Sequence, residues 1–128
     1  MNNIRRKVLR AKIHRAVVTH ADLHYEGSLT LPPHLMKISG IEEYEAVDIW
    51  NVTNGSRLET YAIAGRENSN FICANGAAAH LVKPKDLIII ASFCYIFENS
   101  LESFKPCLIF VDEENQVIST RNENPGPE

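Results

Sequence analysis

The sequence has few cysteines and no long apolar run, and each shortage excludes a class of protein. Cys73, Cys94 and Cys107 are odd in number and lie in or near apolar stretches. They predict buried thiols in a reducing compartment, with no disulfide framework and no metal site. No apolar run approaches the roughly 20 residues of a membrane span, and the early charges exclude a secretory signal. We therefore expect a cytoplasmic protein that neither crosses nor anchors in a membrane.

The net charge of the chain is also small. A formal charge of −3 at pH 7 gives no general attraction to nucleic acid or to an anionic membrane surface. The chain has 128 residues, of which 45% are hydrophobic and 23% charged. This size and composition are typical of one soluble globular domain with a real core.

Short stretches rich in β-branched residues recur along the chain and predict a mainly β fold. Asn54-Gly55 is the strongest turn signal and predicts a tight hairpin into a strand over residues 57–64. Pro32-Pro33 and Gly40 bracket a short helix over residues 34–39. Six or more short strands with one or two short helices favour a small β-rich barrel. We predict one domain over residues 1–118 and a disordered polar tail over residues 119–128.

The central stretch is T-H-A-D-L-H-Y-E-G-S, residues 19–28, which ends in a peptide bond that we predict to break itself. Gly27 can adopt backbone conformations that other residues resist, including a positive φ. A strained backbone there would favour attack by the Ser28 hydroxyl on the Gly27 carbonyl. Gly-Ser is also a common turn dipeptide, so the pair alone fits a plain turn between two strands equally well.

Other polar positions carry two interpretations each. Lys12 and His14 share one face of a predicted strand, which is either functional or simply a polar outer face. The small residues of N-G-A-A-A-H, residues 75–80, permit close approach of backbone or ligand, or form a tight core helix. His20 and His24 have the spacing of a helical metal pair, but no third ligand is suitably placed.

Together, several motifs resemble the pyruvoyl-dependent aspartate 1-decarboxylase family. They are K-I-H (12–14), V-T-H-A-D-L-H-Y-E-G-S (18–28), D-I-W-N-V-T-N-G (48–55), R-L-E-T-Y-A-I (57–63), N-G-A-A-A-H (75–80) and I-I-A-S-F (89–93). Any one of them is weak, but the ordered set, at the family's spacing from about residue 4 to residue 111, is highly specific. The resemblance implies a double-psi β-barrel that assembles as a homotetramer.

The resemblance also implies a lyase that converts L-aspartate to β-alanine and CO2 for pantothenate and coenzyme A synthesis. The chain would be a zymogen that undergoes autocatalytic cleavage between Gly27 and Ser28, assisted by Thr60. Attack by Ser28, β-elimination and hydrolysis would leave a covalent pyruvoyl group at position 28. That group would form a Schiff base with the substrate amine and replace pyridoxal phosphate. No metal is implied.

Roles for the remaining site residues are likewise implied by the resemblance. Tyr61 is the proton donor to the substrate Cα. Arg57 and Lys12 supply the cations that a substrate with two carboxylates needs, and His14 lies beside Lys12. The residues that line the pyruvoyl are Asn75, Gly76, Ala77 and Ala78. In the family the neighbouring subunit contributes Lys12, His14 and Arg57, so the site lies at a subunit interface.

Two other functions fit the same pattern. Hydrolysis of the ester would leave an N-terminal Ser28, as in N-terminal-nucleophile amidohydrolases, and the site would then transfer acyl groups. An unprocessed barrel would be a binding module, which has no chemical need for the whole set of site residues. Cleavage is left open as either spontaneous or assisted by an activator protein. Lys85 stands where the family often has glycine, which puts the shape of that turn in doubt.

Overall fold

The computed structural model describes residues 2–127 and contains nine strands, one α-helix and two short 3-10 helices within that range. The strands are β1 (Arg5–Val17), β2 (His20–Asp22), β3 (Ser28–Leu31), β4 (Ala46–Asn51), β5 (Arg57–Ala64), β6 (Cys73–Asn75), β7 (Leu87–Phe97), β8 (Cys107–Val111) and β9 (Val117–Thr120). The helices are α1 (Pro33–Ser39) and the 3-10 segments Gly76–His80 and Glu98–Ser103. The prediction of a mainly β fold with short helices is confirmed.

All nine strands join one curled, mixed sheet in the order β2-β6-β3-β5-β4-β7-β1-β8-β9. Three pairs are parallel, namely β1 with β8, β2 with β6 and β3 with β5. Within residues 2–127 the end strands β2 and β9 do not pair with each other. The curled sheet is consistent with the small barrel that the resemblance implies.

The hydrophobic core lies inside the curl of the sheet. Alternate residues of a strand point to opposite faces, and Ile13, Ile49, Ile88 and Ile90 on three adjacent strands are fully buried. The opposite face of β1 and β4 carries the half-buried side chains of Lys12, Asp48 and Trp50. The sheet therefore leaves an outer surface on which functional groups can be displayed.

Helix α1 begins and ends where the local sequence predicts. A proline occupies its first turn, where a missing N–H costs nothing. Gly40 adopts a left-handed φ of 75° and donates its N–H to the Met36 carbonyl at 2.9 Å. This is the glycine stop expected from the sequence.

The turn before β7 has the backbone geometry that favours glycine, although a lysine occupies it. Lys85 has a φ of 76° and donates its N–H to the Val18 carbonyl at 2.7 Å. Glycine adopts such a φ without steric cost. The departure at this position therefore puts a lysine in a left-handed backbone conformation.

The end of the chain continues the sheet past the predicted domain boundary at residue 118. Strand β9 runs to Thr120, because Thr120 pairs with Ile109 of β8. Residues 121–127 contain neither helix nor strand. Of the helices in the described part of the chain, none has the length and apolar character to cross a bilayer.

Candidate active site

A surface cleft of about 360 Å³ has Gly27 and Thr60, two of the three predicted cleavage residues, in its walls, whereas Ser28 is not among the residues that line it. It lies where the segment before β3 meets β5, β6 and the 3-10 helix that follows β6. The predicted site residues in its walls are Gly27, Thr60, Tyr61, Asn75, Ala77 and Ala78. Residues that are far apart in the sequence thus converge on the bond predicted to break.

Two of the larger cavities, each of about 590 Å³, lie elsewhere. One is formed by α1 and the loop around residues 67–69. The other is lined by β2 and shares Asn75 with the cleft. We assign the site to the cleft because of its chemistry, since it alone of the three contains Gly27 and Tyr61 among the residues that the structure describes.

Ser28 is the first residue of β3 and is 5% exposed. Its strand partner is Asn75, which is also buried. The Asn75 side-chain amide donates to Ser28 Oγ at 3.3 Å and to Thr30 Oγ1 at 3.0 Å. The β3–β6 pairing therefore fixes the Ser28 hydroxyl against one amide donor.

Gly76 allows the backbone after β6 to touch the backbone that precedes the cleavage bond. It has a φ of 66°, and a Cβ atom placed on it would lie 2.7 Å from Gly27 Cα and 2.9 Å from Gly27 N. Both distances are shorter than any ordinary carbon contact. The predicted close approach of two backbone segments is confirmed at Gly76. The alternative prediction of a short helix also holds, because residues Gly76–His80 form a 3-10 helix in which Ala78 and Ala79 are buried.

Gly27 does not have the positive φ that a glycine can adopt. Within residues 2–127 the glycines with positive φ include Gly76 but not Gly27. A Cβ on Gly27 would meet its nearest neighbour, the Asn75 carbonyl oxygen, at 3.9 Å, which is ordinary contact. Gly76 has the left-handed backbone instead, because the chain turns at Gly76 and passes directly beside the Gly27 backbone.

Strand β5 supplies the next group of site residues. Thr60 is half-buried and Tyr61 is 37% exposed, and both line the cleft. The Tyr61 ring has a neighbour that the sequence analysis missed: its centroid lies 6.1 Å from that of Tyr44, with the planes tilted by 37°. No motif marks Tyr44, because the contact depends on the pairing of β4 with β5.

Arg57 lies at the start of β5, outside the walls of the cleft. Its guanidinium carbon is 5.0 Å from the centre of the Trp50 ring, and the two residues are cross-strand partners. Such a cation–π contact orients the planar guanidinium. Trp50 therefore packs beneath a predicted substrate-binding cation.

Lys12 and His14 are not brought to the cleft within one chain. The strand register puts Lys12, Ala91, Asp48 and Glu59 in one row across β1, β7, β4 and β5. Three strand spacings separate Lys12 from Glu59, which lines the cleft, or roughly 14 Å along the sheet. Lys12 instead forms an ion pair with Glu123, and its side chain is only 12% exposed.

His14 is half-buried next to Lys12, with the Phe110 ring against it and the charges of Arg15, Arg121 and Glu123 close enough to act on it. Its ring centroid is 5.2 Å from that of Phe110, and its Nδ1 is buried without a hydrogen-bond partner among residues 2–127. Burial, and then the positive charge of Lys12, lowers the pKa of His14 from its ordinary 6.5. The neutral imidazole is therefore favoured near pH 7.

The other candidate metal ligands and nucleophiles among the described residues, such as His20 and Cys73, do not form a second functional site. The described residues contain no group of three or more histidine, cysteine or acidic side chains arranged to hold a metal ion. His20 packs against Phe71, with ring centroids 4.7 Å apart. Burial raises the pKa of the Cys73 thiol, which keeps it protonated and unreactive.

Sequence comparisons match nearly the whole chain. The sequence profile of the aspartate decarboxylase family matches residues 4–118. The aspartate 1-decarboxylase of Legionella pneumophila (strain Paris) is 54% identical over 121 residues, which cover 94% of this chain and 91% of that protein. The enzyme of the same name from Rhodopirellula baltica is 55% identical over 122 residues, or 95% of this chain and 78% of that protein. The one from Syntrophotalea carbinolica is 53% identical over 123 residues, or 96% and 94%.

Proposed function

The chain belongs to the aspartate decarboxylase family, and from that premise we propose that it converts L-aspartate to β-alanine and CO2 with a pyruvoyl group made from Ser28. The family predicted from the motifs is thereby confirmed. The observation that carries the proposal is the convergence of the Gly27-Ser28 bond, Asn75 and Tyr61 on one cleft. The β-alanine would serve pantothenate and coenzyme A synthesis in the cytoplasm.

Self-cleavage uses groups that this chain holds in or beside the cleft. Ser28 Oγ attacks the Gly27 carbonyl carbon and the C–N bond breaks, so that the amide becomes an ester and the Ser28 nitrogen takes a proton. Loss of the Ser28 α-proton then breaks the Cβ–O bond and releases Gly27 as a carboxylate. The remaining dehydroalanine takes up water and loses ammonia. Asn75 orients Oγ through its 3.3 Å hydrogen bond, and Thr60 lines the same cleft to assist the reacting peptide.

The residues around position 28 fit a pyruvoyl group. The position is buried, and the Asn75 amide beside it can donate to a carbonyl oxygen. Gly76 has no side chain, and Ala77 and Ala78 have the smallest ones, so space remains for a substrate. When formed, this group supplies a carbonyl that accepts the electron pair left as CO2 departs, in place of pyridoxal phosphate.

Tyr61 and Arg57 of strand β5 both serve the substrate, Tyr61 in the cleft of its own chain and Arg57, which lies outside the walls of that cleft, in the cleft of a neighbouring subunit. Tyr61 donates the proton that Cα requires after CO2 leaves, and its partly exposed phenol on the cleft wall suits that role. Arg57 binds a substrate carboxylate through two parallel N–H donors. Its stacking on Trp50 limits the orientations of the guanidinium, which favours such bidentate binding.

Lys12 and His14 act in the cleft of a neighbouring subunit of a homotetramer. The separation of roughly 14 Å along the sheet means that a second copy is the simplest source of both groups for any one cleft. The ion pair with Glu123 supports the role of Lys12, since its ammonium already binds a carboxylate. We assign catalysis to residues 1–118.

The test combines intact mass under denaturing conditions with an assay of CO2 release from aspartate. We expect two fragments that meet at Gly27 and Ser28, the larger lighter by one ammonia than a chain that begins with serine. The Ser28→Ala variant should remain one chain and release no CO2. Fragments without the loss of ammonia would indicate an N-terminal nucleophile instead. CO2 release by the Ser28→Ala protein would contradict the mechanism.

A further inference from the structure

Tyr44 has a backbone conformation that large side chains rarely adopt. It lies in the turn that leads into β4 and has a φ of 67°. Asparagine and glycine are the residues that favour this left-handed region, and a bulky residue there is a genuine outlier. Such strain persists only where the surrounding structure holds it in place, and it concentrates at functional sites.

Hydrogen bonds hold this turn from two directions. Tyr44 donates its N–H to the Ala62 carbonyl of β5 at 2.8 Å, and Ala62 donates back to the Glu45 carbonyl at 3.0 Å. The Glu45 carboxylate accepts from Arg10 at 2.7 Å and from the Ser92 hydroxyl. These contacts join the turn to β1, β5 and β7, so the conformation of Tyr44 is fixed by the sheet.

The consequence of this conformation is the contact between two aromatic rings. The Tyr44 side chain is 75% exposed, so burial in the core does not account for its position. Its ring lies 6.1 Å from the ring of Tyr61, within the range of a favourable aromatic pair. Among the described residues neither phenol hydroxyl makes a hydrogen bond, so the Tyr44 ring is a contact that can restrict the Tyr61 phenol where no hydrogen bond does.

We infer that Tyr44 is a positioning residue whose ring, held by the strained turn, keeps the Tyr61 phenol directed at the cleft. The inference rests on the proposed function, in which Tyr61 is the proton donor. A proton donor works only within hydrogen-bond reach of its target. A contact that limits the rotation of the donor ring therefore raises the rate of the protonation step and leaves the affinity for substrate unchanged.

The Tyr44→Asn variant separates this role from a purely structural one. Asparagine relieves the left-handed strain and removes the ring. We expect an unchanged or higher midpoint of thermal unfolding, a kcat about two- to tenfold lower and an unchanged KM. Tyr44→Phe keeps the ring and should restore kcat to within about twofold of wild type. A Tyr44→Asn protein with wild-type kcat, or with a kcat loss matched by a lower midpoint, would overturn the inference.

Lys85→Asn is the matched control for strain. Lys85 has the same left-handed backbone, at a φ of 76°, in a turn that lies outside the walls of the cleft. Relief of strain there should leave kcat unchanged. If Lys85→Asn lowered kcat as much as Tyr44→Asn, turn strain in general would be the cause, and the assignment to the Tyr44 ring would be wrong.

A double-mutant cycle tests the ring contact without any assay of activity. The shifts in unfolding midpoint caused by Tyr44→Asn and Tyr61→Ala should be non-additive, because each removes the same contact. Additive shifts would overturn the inference whether or not the protein decarboxylates aspartate. A wild-type protein that releases no CO2 from aspartate would instead refute the proposed function. Non-additive midpoint shifts would in that case still show that the two rings are in contact.

Discussion

Two regions of the molecule differ in how completely one chain assembles them. In the cleft, the Gly27-Ser28 bond, Asn75 and Gly76 meet through strand pairing and a backbone approach that admits no side chain at Gly76. The β1 patch, which consists of Lys12, His14, Phe110 and Glu123, lies roughly 14 Å away along the sheet. There Lys12 already forms an ion pair with Glu123 of the same chain.

The difference separates two stages of function. In the proposed mechanism, a single chain holds every group that self-cleavage uses, so we expect cleavage to be intramolecular. In the proposed mechanism, substrate binding also uses Lys12 of the β1 patch, which we expect a neighbouring copy to supply. The predictions below test this separation in order of decreasing effect, after the complete loss expected for Ser28→Ala.

The largest remaining effect is expected from Gly76→Ala, which breaks the cleft itself. The added Cβ would lie 2.7 Å from Gly27 Cα, at a φ of 66° that disfavours alanine. We expect a loss of about 2–5 kcal/mol in the free energy of unfolding, measured by urea denaturation, and a block of cleavage seen in the intact mass. Gly55→Ala is the matched control, because Gly55 has a φ of 81° but no atom within 4 Å of a Cβ. Equal effects of both variants would show that backbone strain, and not the contact with Gly27, decides cleavage.

Lys12→Ala should affect only the second stage. We expect normal cleavage in the intact mass and a KM for aspartate raised about ten- to hundredfold, the range for a lost hydrogen bond to a charged group. Glu123→Gln is the matched control, because it breaks the same ion pair but keeps the cation. It should leave KM unchanged or lower it. A Lys12→Ala protein that remains uncleaved would remove the distinction between the two regions.

The smallest effect is the pH dependence of stability that His14 contributes. Since burial lowers its pKa from 6.5, the unfolded chain binds a proton at a higher pH than the native protein does. The stability from neutral His14 is therefore fully present above pH 6.5 and is lost as the pH falls through the lowered native pKa. Unfolding midpoints measured between about pH 5 and pH 7 should fall with pH less steeply for His14→Gln than for wild type. The same slope for both proteins would contradict a His14 that is neutral in the native protein because of its lowered pKa.

The sequence alone determined the strands, the short helix and the membership of the aspartate decarboxylase family. Local rules suffice for these features: β-branched runs form strands, Asn54-Gly55 closes a hairpin, and Gly40 ends a helix. The motif order that identifies the family is itself a property of the linear chain.

Only the tertiary structure decided which residues touch across the sheet. It assigned the left-handed glycine to Gly76 and not to Gly27, because the need arises where two distant backbone segments meet. It also paired Tyr44 with Tyr61 and Lys12 with Glu123. Strand order and register set these contacts, and no pattern within a short window of sequence encodes them, since periodicity gives the face of a residue but not its neighbour on the next strand.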